Sequence, residues 1–170
     1  MRRYEYVVFG AGMQGVATAY DLVKHCEADA VILVDPNAEQ RKRANEHLSR
    51  LLGEDMPIRF RDACDKATLR CVDVVLSCAP HTANVEITRR AIEAEVPYCD
   101  LGGNTDVVEA QAKLCQIMNA RSPVVPDCGV SPGLSNILAT HLAYDGYDRI
   151  YISCGGNPLH CPNKKDNPLL

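Results

Sequence analysis

The glycine run Gly10-Ala11-Gly12-Met13-Gln14-Gly15 sits directly after the apolar segment Tyr6-Val7-Val8-Phe9 and directly before helical spacing at Ala17, Tyr20, Leu22 and Val23. That order, strand then G-x-G-x-x-G then helix, leaves few folds open. The first glycine permits a tight turn, the second lets an anion approach bare backbone, and the third lets the helix press against the strand. Free N–H groups and the positive end of the helix dipole then face whatever lies beyond the loop. The run therefore reads as a pyrophosphate cradle, with Gly10, Gly12, Met13, Gln14 and Gly15 as cofactor-binding residues. A glycine turn of purely structural purpose is the competing reading.

Asp35 favours the cradle. It closes a second apolar run, Val31-Ile32-Leu33-Val34, twenty residues beyond Gly15. A carboxylate there accepts the hydroxyls of an adenosine ribose and repels a 2′-phosphate, which favours NAD. NADP stays possible if Arg41 swings toward the ribose, whereas Lys42 and Arg43 read more simply as a solvated helix face.

Further apolar runs recur with helix-length segments between them: Val72-Asp73-Val74-Val75-Leu76, Pro97-Tyr98-Cys99-Asp100, Val124-Val125-Pro126 and a weaker edge candidate, Pro57-Ile58-Arg59-Phe60. Continuous rather than alternating hydrophobicity suits strands covered by helices on both faces. Helical spacing at Ala44, Leu48, Leu51 and Leu52 stops at Gly53, and further helices are expected over 84–94, 106–120 and 134–143. The fold class is α/β, a doubly wound parallel sheet.

The chain has 170 residues, 46% hydrophobic and 24% charged, enough for one domain or one domain and the start of another. A net charge of −4 argues against nucleic acid and anionic membranes as partners and leaves small molecules. No apolar run approaches the ~18 residues of a membrane span, and no secretory leader is visible, so a cytoplasmic chain is expected. The nine cysteines are odd in number and scattered through apolar runs, which suits reduced thiols. Cys154, His160 and Cys161 lack the paired-cysteine knuckle of zinc ribbons, and no metal site is expected.

Ligands of open α/β sheets bind beyond the carboxyl ends of the strands, where three turns fall. Ser77-Cys78-Ala79-Pro80-His81 follows the fourth strand, Asp100-Leu101-Gly102-Gly103-Asn104 the fifth, and Asp127-Cys128-Gly129-Val130-Ser131-Pro132-Gly133 the sixth. Small residues at Ala79, Pro80, Gly102 and Gly103 leave room for the second half of a dinucleotide. His81, Asp100, Asp127 and Cys128 are the ionisable candidates for catalysis. Each has a structural alternative: the aspartates as turn or helix caps, His81 as a cap on the helix that follows, and Cys128 as a small buried residue. Ser131 as N-cap with Pro132 in the first helical position would aim a positive helix end at the crevice, where a substrate carboxylate could sit.

Near Asp145 the pattern changes. Gly146 leads to the alternating run Arg149-Ile150-Tyr151-Ile152-Ser153 and then to a Gly/Pro/Asn-rich tail over 155–170. The chain divides into a dinucleotide-binding domain at 1–145 and, at 146–170, either the first strand of a truncated substrate and dimerisation domain or a C-terminal tail. A strand added to the edge of the sheet is the alternative.

Together, Val7-Val8-Phe9-Gly10-Ala11-Gly12-Met13-Gln14-Gly15, Ser77-Cys78-Ala79-Pro80, Cys99-Asp100-Leu101-Gly102-Gly103 and Pro126-Asp127-Cys128-Gly129-Val130-Ser131-Pro132-Gly133-Leu134-Ser135-Asn136 resemble the saccharopine dehydrogenase family, and within it the lysine 6-dehydrogenases. The resemblance implies a Rossmann-like NAD(P)-binding domain followed by a larger α+β domain with much of the substrate pocket and the homodimer contact. It also implies cofactor contacts at Gly10, Gly12, Gly15 and Asp35, with Ala79-Pro80 and Gly102-Gly103 at the nicotinamide end. The expected activity is hydride transfer between NAD(P) and the nitrogen-bearing carbon of lysine or a lysine-derived amino acid. A non-catalytic dinucleotide module that senses redox state or docks on another subunit is the alternative, and semialdehyde chemistry with Cys128 as nucleophile is a third reading.

Overall fold

The structure is a computed structural model, and it describes residues 4–155. His160, Cys161 and the tail beyond 155 therefore lie outside the described residues.

Six strands form one parallel sheet: β1 (Glu5–Phe9), β2 (Ala30–Val34), β3 (Ile58–Arg61), β4 (Val74–Ser77), β5 (Tyr98–Asp100) and β6 (Val124–Val125). Their spatial order is β3-β2-β1-β4-β5-β6. The chain runs outward from β1 to β3 and returns to lay β4 on the other side of β1, so the order reverses between β1 and β4. Register lines up the strand ends. Phe9 lies opposite both Val34 and Ser77, Val34 opposite Arg61, and Ser77 opposite Asp100. The residues just past that row, among them Gly10, Asp35, Cys78 and Leu101, consequently share one rim.

Alternate residues of each strand feed two separate cores. On one face Val8, Val31 and Leu33 pack with Ala19 and Leu22 of α1 (Met13–His25) and Ala44 and Leu48 of α2 (Ala38–Leu52). On the other, Val7, Phe9, Ile32, Val34, Val75 and Tyr98 pack with Leu69 of α3 (Lys66–Leu69) and with Ile87 and Ala91 of α4 (Asn84–Ala94). Helix α5 (Thr105–Ile117) packs on α4. Asn37 starts α2 by accepting from Glu39 and Gln40 N–H, and Gly53 ends it at φ 92°, a conformation glycine takes without steric cost.

Several local expectations shift. Strand β4 begins at Val74 and includes Ser77, whose hydroxyl is satisfied by donating to Asn84 Oδ1 at 2.8 Å in the interior. Helix α3 was not foreseen, although Asp65 caps it by accepting from Thr68 N–H at 2.8 Å. His81 does not cap α4. It opens a single 3-10 turn, His81–Ala83, and α4 follows with no side-chain cap. The last helix, α6 (Leu134–Tyr144), starts after Gly133 rather than at Ser131-Pro132, because Gly133 at φ 125° turns the chain tightly against the Gly129 carbonyl. Residues 149–155 form no strand or helix among the described residues, so the alternating run around Ile150 does not join the edge of the sheet there.

Leu33 is fully buried and lies 3.5 Å from where a Cβ on Gly15 would stand, so it supports the glycine loop from below. Leu33→Ala should cost about 2–5 kcal/mol by opening a cavity there. A fall in the urea midpoint with an unchanged slope would show it; an unchanged midpoint would contradict this account of the core.

Candidate functional site: the rim at the strand ends

The glycine loop is built by close approach. A Cβ on Gly15 would lie 1.7 Å from the Gly10 carbonyl oxygen, and one on Gly10, at φ 94°, would lie 2.7 Å from the carbonyl oxygen of Cys78. The first contact lets α1 begin directly over the end of β1, and the second seats the loop on the Cys78-Ala79 backbone. Gly12 differs. Nothing lies within 4 Å of its Cβ position, and no side chain caps the α1 N-terminus. An open backbone beside uncapped helix N–H groups is what a pyrophosphate requires. Met13, 90% exposed, and exposed Gln14 occupy the first turn of α1.

Asp35 holds the loop as well as facing it. Its carboxyl accepts from Ala11 N–H at 2.9 Å and from Asn37 N–H at 2.8 Å. Arg41 Nη1 donates to the Asp35 carbonyl at 2.5 Å, which ties Arg41 to the end of β2. Lys42 and Arg43 instead pair along α2 with Glu46 and Glu39. An apolar groove of about 850 Å³ runs between α1 and α2 from Gly12 to Leu51, on the outer flank of the loop rather than at the rim.

Across the switch point the second half of the rim depends on Asp100, only 1% exposed. Its Oδ1 accepts from Gly102 N–H at 2.7 Å and Asp127 N–H at 3.2 Å. Its Oδ2 accepts from Tyr98 O–H at 2.9 Å and Gln111 Nε2 at 2.6 Å, and the same Gln111 nitrogen donates to Thr88 Oγ1 at 2.8 Å. One carboxyl thus joins β5, the Gly102-Gly103 turn, α5 and the turn after β6. Burial, with the neighbouring Asp100 carboxylate, pushes the Tyr98 phenol well above its ordinary range, so it remains a donor. Asp100 is fully engaged, which makes it a fastener of the site rather than a group available to substrate.

The other catalytic candidates gather over it. A Cβ on Gly103 would lie 3.3 Å from the His81 Cβ, and one on Gly102 would lie 1.9 Å from Asp127 Oδ1. Both glycines have positive φ, 75° and 125°, so Gly102-Gly103 is demanded by conformation and by space. Asp127 holds φ 60°, uncommon for a residue with a side chain. Among the described residues the side chains of His81 and Asp127 make no hydrogen bond or ion pair. Cys128 is less suited to nucleophilic work: burial first, then Asp100, raises its thiol, and its Sγ faces the Val125 carbonyl at 3.4 Å. The α6 start offers less to an anion than expected, since Asn136 Oδ1 takes the Gly133 N–H at 3.2 Å. Among the described residues no His, Cys, Asp and Glu cluster could hold a metal ion, and no helix is long and apolar enough to cross a membrane.

Tyr98, Thr88 and Gln111 were missed by sequence reasoning. Tyr98 and Asp100 do share one strand face at a spacing of two, a signal that a buried polar pair was forming there.

With this geometry in hand, the comparisons are specific. Residues 6–125 match the family described as the saccharopine dehydrogenase NADP binding domain. The fold superposes on apo saccharopine dehydrogenase (L-Glu forming) from Saccharomyces cerevisiae with a TM-score of 0.63 at 16% identity, covering 84% of this chain and 31% of that one. It also superposes on scyllo-inositol dehydrogenase from Lactobacillus casei with bound NAD(H) and scyllo-inositol, TM-score 0.59 at 14% identity, covering 85% of this chain and 42% of that one. For myo-inositol dehydrogenase from Corynebacterium glutamicum the values are 0.60, 18%, 85% and 42%. The chain thus spans between about a third and two fifths of these solved relatives, and at such identities the likeness is one of fold.

Asp100→Ala leaves the Tyr98, Gln111, Gly102 and Asp127 donors without their acceptor and should cost about 3–5 kcal/mol, since each buried donor stranded costs about 1–3. Asp100→Asn keeps one acceptor and should lose roughly half of that. Chemical denaturation of both variants measures it, and equal, small losses would refute the fastener role.

Proposed function

The chain belongs to the saccharopine dehydrogenase family and carries that family's NAD(P)-binding domain; from this premise we propose that it serves a dehydrogenase that moves a hydride between NAD(P) and the nitrogen-bearing carbon of lysine or a lysine-derived amino acid. The observation that supports this reading best is the continuous rim at the β1/β4 switch point: an open Gly12 at one end and a small-residue turn, Gly102-Gly103, at the other. Gly10, Gly12, Met13, Gln14 and Gly15 would hold the pyrophosphate, and Asp35 the adenosine ribose. Ala79, Pro80, Gly102 and Gly103 would leave space for the nicotinamide. NAD(P), when bound, supplies the hydride acceptor or donor.

The protein's own part is positional and acid–base. An amine gives up hydride readily only as its neutral form, so a group near the reacting carbon must take a proton from the ammonium. His81 and Asp127, both at the rim and both without hydrogen-bond partners among the described residues, are the groups we assign to that task. Loss of hydride and proton leaves an imine, which water hydrolyses to a semialdehyde and ammonia, as a lysine 6-dehydrogenase reaction requires.

NAD is the favoured cofactor because Asp35 stands where a 2′-phosphate would meet a carboxylate, while Arg41, tied to the Asp35 carbonyl, is the residue through which NADP could be accepted. The same reading takes the whole protein as a cytoplasmic homodimer acting on an amino acid and binding neither nucleic acid nor membrane, in line with its net charge of −4. A second reading, a cofactor-binding module that docks on another subunit without turnover, draws on α6, where Leu134, Ile137, Leu138 and Leu142 are all exposed together with Ile152.

Calorimetric titration with NADH and NADPH tests the cofactor assignment. The native chain should bind NADH more tightly, and Asp35→Ala should shrink that preference about tenfold, or about 1.4 kcal/mol. Release of the loop at Ala11 weakens both cofactors alike and cancels in the ratio, so an unchanged ratio would refute the ribose role. NADH formation from lysine or saccharopine tests the activity, and cofactor binding without turnover on any such amine would favour the docking module.

A further inference from the structure

Helix α5 buries one residue, and that residue is polar. Gln111 is 1% exposed, at a place where a packed helix ordinarily presents an apolar side chain. Its Nε2 uses both hydrogens, one on Thr88 Oγ1 of α4 at 2.8 Å and one on Asp100 Oδ2 at 2.6 Å. Its Oε1 is buried and accepts no hydrogen bond among the described residues. Turning the amide over would not relieve that oxygen, because it would then face the Asp100 carboxyl, itself an acceptor at both oxygens. A buried acceptor without a donor lowers stability, and an apolar side chain of similar volume would avoid the cost. Only the two N–H bonds offset it.

Those bonds aim a carboxyl. The two oxygens of Asp100 are rigidly joined, so a donor that fixes Oδ2 also fixes the direction of Oδ1. Oδ1 accepts from the Gly102 and Asp127 N–H groups and so sets the far half of the rim. Of the four donors to Asp100, Tyr98 lies on the same strand and Gly102 and Asp127 lie in the turns being held; Gln111 alone comes from a helix. Through Thr88, fully buried, it ties that direction to α4 as well.

We propose, on the cofactor reading above, that Gln111 is the positioning residue of the nicotinamide end of the rim: through Asp100 it holds the Gly102-Gly103 turn and Asp127 where a bound dinucleotide needs them. Gln111 is itself sealed from the rim and touches no ligand. Its loss therefore acts on the second half of a dinucleotide and spares the adenosine and pyrophosphate half at Gly12 and Asp35, across the switch point.

The full chain is titrated calorimetrically with NADH and with ADP, which carries the adenosine and pyrophosphate alone. Gln111→Met keeps the volume and removes both donors; it should weaken NADH about tenfold and leave ADP unchanged. Gln111→Glu keeps the shape and makes the bond titratable. Out of water and beside Asp100, the introduced carboxyl holds its proton well above the ordinary carboxylate range, so at pH 6 its O–H donates to Asp100 Oδ2. NADH affinity should then match the native chain at pH 6 and fall about tenfold below it at pH 9, where two carboxylates repel, with ADP again unchanged. If Gln111→Met does not fold, the pH contrast in Gln111→Glu decides. A native chain that binds neither probe would sink the cofactor reading. With the native chain binding both, a NADH-to-ADP ratio that neither variant shifts, or a parallel loss of both probes below the variant's melting temperature, would overturn the role of Gln111 alone.

Discussion

The contact between Gly15 and the Gly10 carbonyl is the constraint from which the rest of the site follows. With any side chain at Gly15, helix α1 could not start over the end of β1, because a Cβ would lie well inside the carbonyl oxygen. With the contact in place, the α1 dipole points along the sheet at the row of strand ends, and Gly12 is left as bare backbone before it. The strand reversal between β1 and β4 then opens the crevice on that same row, since no crossover helix covers the gap.

The two halves of the crevice are fastened in the same way. Asp35 ends β2 and Asp100 ends β5, and each carboxyl accepts from the N–H two residues further along its own chain, Asn37 and Gly102 respectively. Each also accepts from a loop belonging to another strand, Ala11 for Asp35 and Asp127 for Asp100. The difference lies in what remains. Asp35 is half-buried at the rim and has lone pairs to offer a ribose, whereas Asp100 is sealed beneath it by Tyr98 and Gln111. In the proposed reading the same residue type serves a ligand at one end and the scaffold at the other, and burial decides between the roles.

The fold was legible because its rules are local or periodic. Apolar runs such as Val31 to Val34 announced covered parallel strands, and α4 fell at Asn84–Ala94 as its spacing indicated. The glycine loop carried its own strand and helix as context. What escaped was tertiary. Nothing near Asp100 in the sequence discloses that Gln111, on the next helix, turns its amide inward, or that Asp127 comes back over Gly102. The helical spacing over 134–143 marked α6, but the cap suggested at Ser131-Pro132 is not used, because Gly133 turns the chain against the Gly129 carbonyl and the helix starts at Leu134. The run around Ile150 has the alternation of a strand but pairs with no strand among the described residues, since alternation supplies a face but not a partner.

Helix α6 contains no buried residue among the described ones, unlike α1, α2 and α4. An eleven-residue helix has little stability of its own in water. Its amides should therefore exchange with solvent through local opening, at a free energy unrelated to that of the sheet, while those of β1, β2 and β4 exchange only when the whole domain opens. A single unfolding free energy then describes the sheet and its helices, and α6 stands outside that cooperative unit.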